Sequence, residues 1–293
     1  SENMKNTLTD LNNHLFEDED VESYLAKIAE MKTKLLWPSS ANNATDEAPA
    51  DVTVVVANPS YDENTNGWLG STAARNGDAT NCEIYNTESF DYYQEIVGLP
   101  EGTYQVSVQG YYRAGYAGND YATKDSLEYS HAFLYAMNGA EEVSAVPLTR
   151  LASEPNNGPS LPDGYAWASE TDGIYVANSM VTGGYEFAAD KYLNNKVVVK
   201  VGADGKLRFG LKKSQKIEGD WTLWDNWQLF YFGANSSKPA DGDATGIETI
   251  EAQSFTVEYF TLDGRKATAA QKGIMIQKVT FDNGASIVKK IRK

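Results

Sequence analysis

The sequence predicts a mainly β chain in three parts: a β-sandwich over residues 51–233, a short helical segment before it, and a small all-β domain after it. Three observations predict this. The stretch Asn58-Pro59-Ser60-Tyr61-Asp62-Glu63, with Gly67-Trp68 beyond it, and the Trp-rich stretch 221–231 read as the first and last strands of one sandwich. Between them, apolar and polar residues alternate in runs separated by turn signals. Aromatics make up 12% of the chain, with 18 Tyr, which suits half-buried strands and also flat apolar platforms with a polar edge.

The elements follow in order. Val21, Tyr24, Leu25, Ile28 and Leu35 recur at helical spacings behind Glu17-Asp18-Glu19-Asp20, and Lys32 and Lys34 sit near the far end. Acids at the start and bases at the finish complement the helix dipole. Leu8, Leu11, Leu15 and Phe16 predict a preceding helix, and Pro38 ends this segment, 1–37. Residues 38–50 have linker composition. Val52-Thr53-Val54-Val55-Val56 predicts a strand. Strands at 92–97 and 104–109 form a hairpin about Gly98-Leu99-Pro100-Glu101-Gly102, with Tyr104, Val106 and Val108 on one face. Strands at 131–137 and 142–148 meet at Asn138-Gly139, and strands at 196–201 and 207–211 meet at Asp204-Gly205. Residues 152–173 predict a long loop carrying Tyr165 and Trp167, and 224–232 is the closing strand. A second linker, 234–246, leads to the small β domain at 247–293, with a strand at 255–260, Asp263-Gly264-Arg265, a strand at 273–276 and a basic end.

Charge narrows the partners. The net charge of −16, from 41 acidic against 25 basic residues, opposes the phosphate neutralisation that nucleic-acid affinity needs. Nucleic acid and anionic membrane surfaces are therefore poor candidates as partners. Cys82 is the single cysteine, so the chain holds neither an internal disulfide nor a thiolate metal cluster. No run of about 18 apolar residues predicts a transmembrane segment. No charged-then-apolar leader opens the sequence, so a secretory leader is expected to have been removed or to lie outside it.

Three stretches carry a resemblance to a family. Val97-Gly98-Leu99-Pro100-Glu101-Gly102-Thr103-Tyr104 through Gly110-Tyr111-Tyr112-Arg113, Asn178-Ser179-Met180 through Phe187, and Asp220-Trp221 through Gly233 resemble the galactose-binding-like jelly-roll domains of exported proteins from Bacteroides-like bacteria. That resemblance covers roughly residues 52–233. It implies a jelly-roll β-sandwich of the kind used by carbohydrate-binding modules. The last 47 residues resemble the C-terminal sorting-type domain of the same bacteria, implying export to the periplasm, cell surface or medium. In related jelly rolls a structural ion ties the first acidic turn to a carboxylate of the last strand. By that likeness Asp62, Glu63 and Asp225 are the candidate metal ligands, and their hard oxygens suit a structural Ca²⁺. The alternative is that Asp225 hydrogen-bonds the turn near Asn58 to Ser60.

Catalytic signals are sparse. His14 and His131 are the only histidines, and no nucleophile elbow, zinc-binding His-Glu-x-x-His or phosphate-binding glycine loop is present. A glycosidase needs only two carboxylates, and Asp62 with Asp225 is one conceivable pair. Sugar recognition needs an aromatic platform with planar hydrogen-bonding groups at its rim. Tyr112, Arg113, Tyr116 and Tyr121 supply both types, and Tyr165 with Trp167 are expected to face them across the sandwich tip. The expected function is non-catalytic glycan binding by an exported protein. The alternative is a structural or interaction module with cell-surface protein partners.

Overall fold

The computed structural model describes residues 18–139, 141–239, 255–261, 264–268, 274–281 and 286–292. The helix expected over Leu8 to Phe16 and most of the second linker lie outside the described residues. Helix α1, Asp18–Leu36, stops ahead of Pro38 as expected, and a single 3₁₀ turn, Ser39–Asn43, follows it. No described helix is long and apolar enough to cross a membrane.

Two antiparallel sheets face each other across one core. The first contains β3 (Ala74–Arg75), β4 (Cys82–Tyr85), β6 (Gly102–Arg113), β12 (Asn195–Val201) and β14 (Trp221–Tyr231), in the order β12-β6-β14-β4-β3. Strand β1 (Ala50–Asp51) pairs with the end of β14. The second contains β2 (Leu69–Gly70), β5 (Phe90–Ile96), β7 (Ala132–Asn138), β8 (Glu141–Pro147) and β13 (Leu207–Lys213), in the order β2-β5-β13-β7-β8. Of the three expected hairpins only the one at Gly139 joins paired strands, β7 and β8. Strands β5 and β6, and likewise β12 and β13, lie in opposite sheets, so the turns at Gly98 and Gly205 carry the chain from one sheet to the other. All three glycines are at positive φ, where a side chain is strained.

The expected strand at 52–56 is instead a 3₁₀ turn, Thr53–Val55, following two-residue β1. The Asp51 carboxylate accepts the Thr53 amide at 2.8 Å, a local bond that draws the chain out of the ladder. Val52, Val55 and Val56 are nevertheless buried, so the apolar run fills the core without being a strand.

The central strand β6 is buried on both faces, and this fact organises the molecule. Tyr104, Val106, Val108 and Tyr112 point into the main core between the sheets. Tyr111 points the other way, into a second core with Leu151, Val176, Phe187, Tyr192, Trp221 and Leu223. Residues 117–123 and 151–192 build that second core by folding over the outer face at the Arg113 end of β6. They include helix α2 (Ala117–Thr123), helix α3 (Met180–Ala188) and a three-stranded sheet of β9 (Asn156–Asn157), β10 (Tyr165–Ser169) and β11 (Ile174–Ala177), in the order β10-β11-β9. The sandwich region is thus mainly β with two short helices, and the expected loop at 152–173 carries two strands.

Two features fix this cap. Ser179 caps α3, its hydroxyl accepting the Thr182 amide at 3.2 Å. A Cβ on Gly183 would meet Leu223 Cδ2 at 2.1 Å and the Tyr111 hydroxyl at 2.8 Å, so only glycine lets the helix lie this close to the sheet. A separate four-stranded antiparallel sheet follows the sandwich: β15 (Phe255–Thr261), β16 (Lys266–Ala267), β17 (Ile274–Phe281) and β18 (Ser286–Arg292), in the order β16-β15-β17-β18. Tyr259 and Met275 are buried in it.

Candidate functional site

The matched ends of the sandwich meet through one hydroxyl. Tyr61, with φ of 51°, is fully buried, and its oxygen accepts the indole N–H of Trp224 at 2.9 Å and of Trp227 at 2.8 Å. Trp68 stacks on Tyr92 at 5.1 Å and lies 4.7 Å from Trp227, so these rings form a closed aromatic box. This cluster is core. It offers a ligand nothing.

Asp225 lies nearby, on a bulge of β14 that interrupts its pairing with β6. It is 6% exposed and accepts the Asn226 amide at 2.7 Å. Burial, reinforced by the charge of Asp62, pushes its carboxyl up to about 7, against the pull of that amide. Asp62 and Glu63 are both exposed. The backbone carbonyls of Tyr61 and Asp62, which could have served a cation, accept the Arg75 guanidinium. Among the described residues no group of three His, Cys, Asp or Glu side chains is placed to hold a metal. Asp62, Glu63 and Asp225 therefore supply one buried carboxylate and two exposed ones beside an arginine clamp, which is a poor fit to the oxygen cage calcium requires. The alternative bond from Asp225 to the Asn58 to Ser60 turn is also replaced: Trp227 N–H bonds the Pro59 carbonyl at 2.9 Å, and the Asp225 carboxylate turns to Asn226.

The expected sugar platform divides. Tyr112 is fully buried, its hydroxyl donating to Asp220 at 3.2 Å. Arg113 is 4% exposed, donates to the carbonyls of Gly115 and Gly219 and to Asn178 Oδ1, and lies 5.0 Å from the Trp221 ring. Neither reaches a ligand: Tyr112 faces the main core between the sheets, and the cap seals the outer face of β6 over Arg113. Tyr121 is half-buried against the second core, with Lys124 Nζ 4.6 Å from its ring. Tyr116 is 56% exposed, its ring close over Gly219.

Tyr165 and Trp167 do come together, and they gain a third ring that the sequence reading missed. Both lie on β10 two residues apart, hence on one face. Tyr175 of β11 is directly opposite Trp167, so it shares that face. Its ring stands edge-on to both neighbours, 5.3 Å from Tyr165 at 87° and 6.0 Å from Trp167 at 80°. Ala166 and Val176, at the alternate positions, pack into the second core. The missed signal was Asp172-Gly173 between two short aromatic-bearing runs, a hairpin mark, with Gly173 at φ 68°.

A polar rim flanks the row. Asn156 of β9 pairs with Tyr175, which places it on the same face. It donates to Glu186 at 2.7 Å and accepts Lys191 Nζ at 2.8 Å, while Lys191 and Glu186 pair at 2.5 Å. Burial, with a hydrogen bond to Glu186, pushes the Tyr165 phenol up and ties its ring to this rim. All three rings are half-buried, and among the described residues the Trp167 indole N–H and the Tyr175 hydroxyl have no protein hydrogen-bond partner. A rigid row of rings with unspent polar edges suits a ligand that presents apolar C–H faces and hydroxyls.

The larger cavities are elsewhere. One of about 760 Å³ separates α1 from the turns at 97–101 and 203–206, lined by Lys27, Glu30, Trp37, Leu99 and Asp204. Its one aromatic, Trp37, packs on Tyr104 and Tyr231, so this is the seam between helix and sandwich. No family model matches the chain, and no curated protein matches it. Among solved structures, that of TmCBM61 in complex with β-1,4-galactotriose is similar at a TM-score of 0.33 and 14% identity, over 60% of this chain and 97% of that chain.

Proposed function

We propose that the chain is an exported, non-catalytic glycan-binding protein whose ligand lies across Tyr165, Tyr175 and Trp167. The observation that carries this reading is the ring row itself: three half-buried aromatics on one sheet face, backed by a packed second core and bordered by Asn156 and Glu186. Export is supported by the C-terminal sequence, which resembles a sorting-type domain. A glycan array with the intact protein and with Trp167→Ala tests the reading. Signal on a defined glycan class that Trp167→Ala abolishes is expected, and an array blank for both proteins contradicts it. Repeating the array with and without calcium tests whether the Asp62 and Asp225 pair takes an ion in spite of Arg75, with no change expected.

A second reading, contact with a cell-surface protein and no sugar ligand, is favoured by α1. Val21, Leu25, Ile28 and Leu35 leave 39%, 59%, 39% and 67% of their surface exposed along this helix. Leu25→Glu removes such a contact and leaves glycan binding unchanged.

A further inference from the structure

We infer that the aromatic row selects uncharged glycans and rejects those bearing uronate or sulfate groups, an inference that rests on the glycan-binding reading above. The cationic side chains around the row are all committed. From Glu154 to Lys191, the span that contributes every ring and rim residue, the acids are Glu154, Asp163, Glu170, Asp172, Glu186 and Asp190, and Lys191 is the sole base. An ammonium has three N–H donors. Those of Lys191 are all taken, by Glu186 Oε2 at 2.5 Å, Asn156 Oδ1 at 2.8 Å and the Glu154 carbonyl at 3.1 Å.

The other cations of the cap are no freer. Arg150 is 4% exposed and locked to Asp120 at 2.6 Å, Arg113 is spent on carbonyls and Asn178, and Lys124 pairs with Asp125 at 3.3 Å. By contrast, Asp163, Glu170 and Asp172 are exposed. Glu170 and Asp172 form the turn that joins Trp167's strand to Tyr175's, and Asp163 precedes Tyr165 by two residues. An anionic sugar laid on the rings meets carboxylates at both ends of the row and no available counter-charge, so it loses Coulomb energy as well as hydration. A neutral sugar has no charge to be repelled and loses only the weaker hydration of its hydroxyls. Its hydroxyls can use the Trp167 N–H and the Tyr175 hydroxyl.

Affinity electrophoresis of the intact protein against a neutral galactan, a neutral β-glucan, polygalacturonate and heparin separates the outcomes. Retardation by a neutral polymer, with binding to both anionic polymers at least ~10-fold weaker at low salt, is expected. The double variant Asp163→Asn/Glu170→Gln should gain roughly 3-fold or more toward polygalacturonate at low salt, a gain that high salt erases, with neutral binding unchanged. Binding to polygalacturonate or heparin as tight as to the neutral polymers, lost in Trp167→Ala, overturns the selectivity and leaves the glycan reading standing. Retardation by none of the four polymers, with the array also blank, overturns both.

Discussion

Two aromatic clusters in this chain use the same residue types to opposite ends. In the box of Tyr61, Trp68, Tyr92, Trp224 and Trp227, the polar handles that sequence chemistry provides are turned inward, two indole N–H groups converging on one phenol oxygen. In the row of Tyr165, Tyr175 and Trp167, the backing is equally firm, but the Trp167 N–H and Tyr175 hydroxyl are left unspent. The difference is topological. The box sits between two sheets, where every ring is covered on both sides. The row sits on a sheet with only one face against a core. Aromatic content therefore says little about binding until the covering of each ring is known.

Removing the hydroxyl of the box gives the largest expected effect. Tyr61→Phe keeps the ring and orphans two buried indole donors at about 1–3 kcal/mol each, so the denaturant midpoint should fall sharply while the row still binds glycan once folded. An unchanged midpoint would show that the hydroxyl does not tie the two ends together. Asp225, beside the box, gives the next effect, and its sign is fixed by linkage. Its folded-state value of about 7 lies above the ordinary 3.8, so the folded chain holds the proton more tightly between the two. The contribution of this carboxyl to stability is then fully present below about pH 4 and is lost as pH rises to about 7, by at most ~4 kcal/mol. Asp225→Asn keeps the acceptor for the Asn226 amide and removes the titration. Melting curves of the two proteins should coincide near pH 4 and separate in favour of the variant near pH 8. Parallel curves would contradict the burial of an ionisable carboxyl there.

How far the sequence could be read follows the same division between inner and outer faces. The tie between the stretch at Tyr61 and the last strand was legible, because Tyr61 and the Trp-rich stretch are strong packing signals at matched positions, but Asn58 to Glu63 forms turns and not the expected first strand. The turns at Gly98, Gly139 and Gly205, which need positive φ, were legible as well, but only the one at Gly139 is a hairpin, because turn residues do not tell whether the chain returns to the same sheet or crosses to the facing one. Tyr112 and Arg113 were misplaced for a specific reason. Alternation along β6 puts Tyr112 on the inner face, in the main core, and Arg113 on the outer one, but it does not tell what lies over the outer face, which residues 151–192 return to cover. Arg113 in particular reads as a rim cation and is instead bonded to backbone and Asn178 inside the cap. Tyr175 was missed because the Pro-, Gly- and Asn-rich composition of 152–173 masks β9 and β10, the two short strands that its own strand β11 pairs with.

Within the row, the middle ring carries the sharper test. Tyr175 contacts both neighbours and rests over Gly158, where a Cβ would meet its ring at 3.3 Å. Tyr175→Ala removes the ring shared by both contacts and should cost ~10-fold or more in glycan affinity, about 1.4 kcal/mol. Tyr175→Phe separates ring from hydroxyl: retained affinity assigns the contact to the ring face, and a loss as large as that of alanine assigns it to the oxygen. Isothermal titration with the array's best glycan reads both.

The smallest expected effect is the most discriminating about where the site ends. Tyr116 is the most exposed of the tyrosines that the sequence reading nominated, at 56%, yet it stands over Gly219, in the loop before Trp221. Helix α2, which follows it, contributes Ala117 and Tyr121 to the second core, the side of β10 that also receives Ala166 and Ala168. Tyr165 and Trp167 occupy the alternate positions of that strand; Tyr165 also packs against the second core, whereas Trp167 and Tyr175 lie across the small sheet from Tyr116. Tyr116→Ala should leave glycan affinity unchanged and shift stability by no more than ~0.5 kcal/mol, as a surface substitution does. A loss of affinity comparable to that of Tyr175→Ala would mean that the ligand wraps around the edge of β10 and uses both faces of the cap.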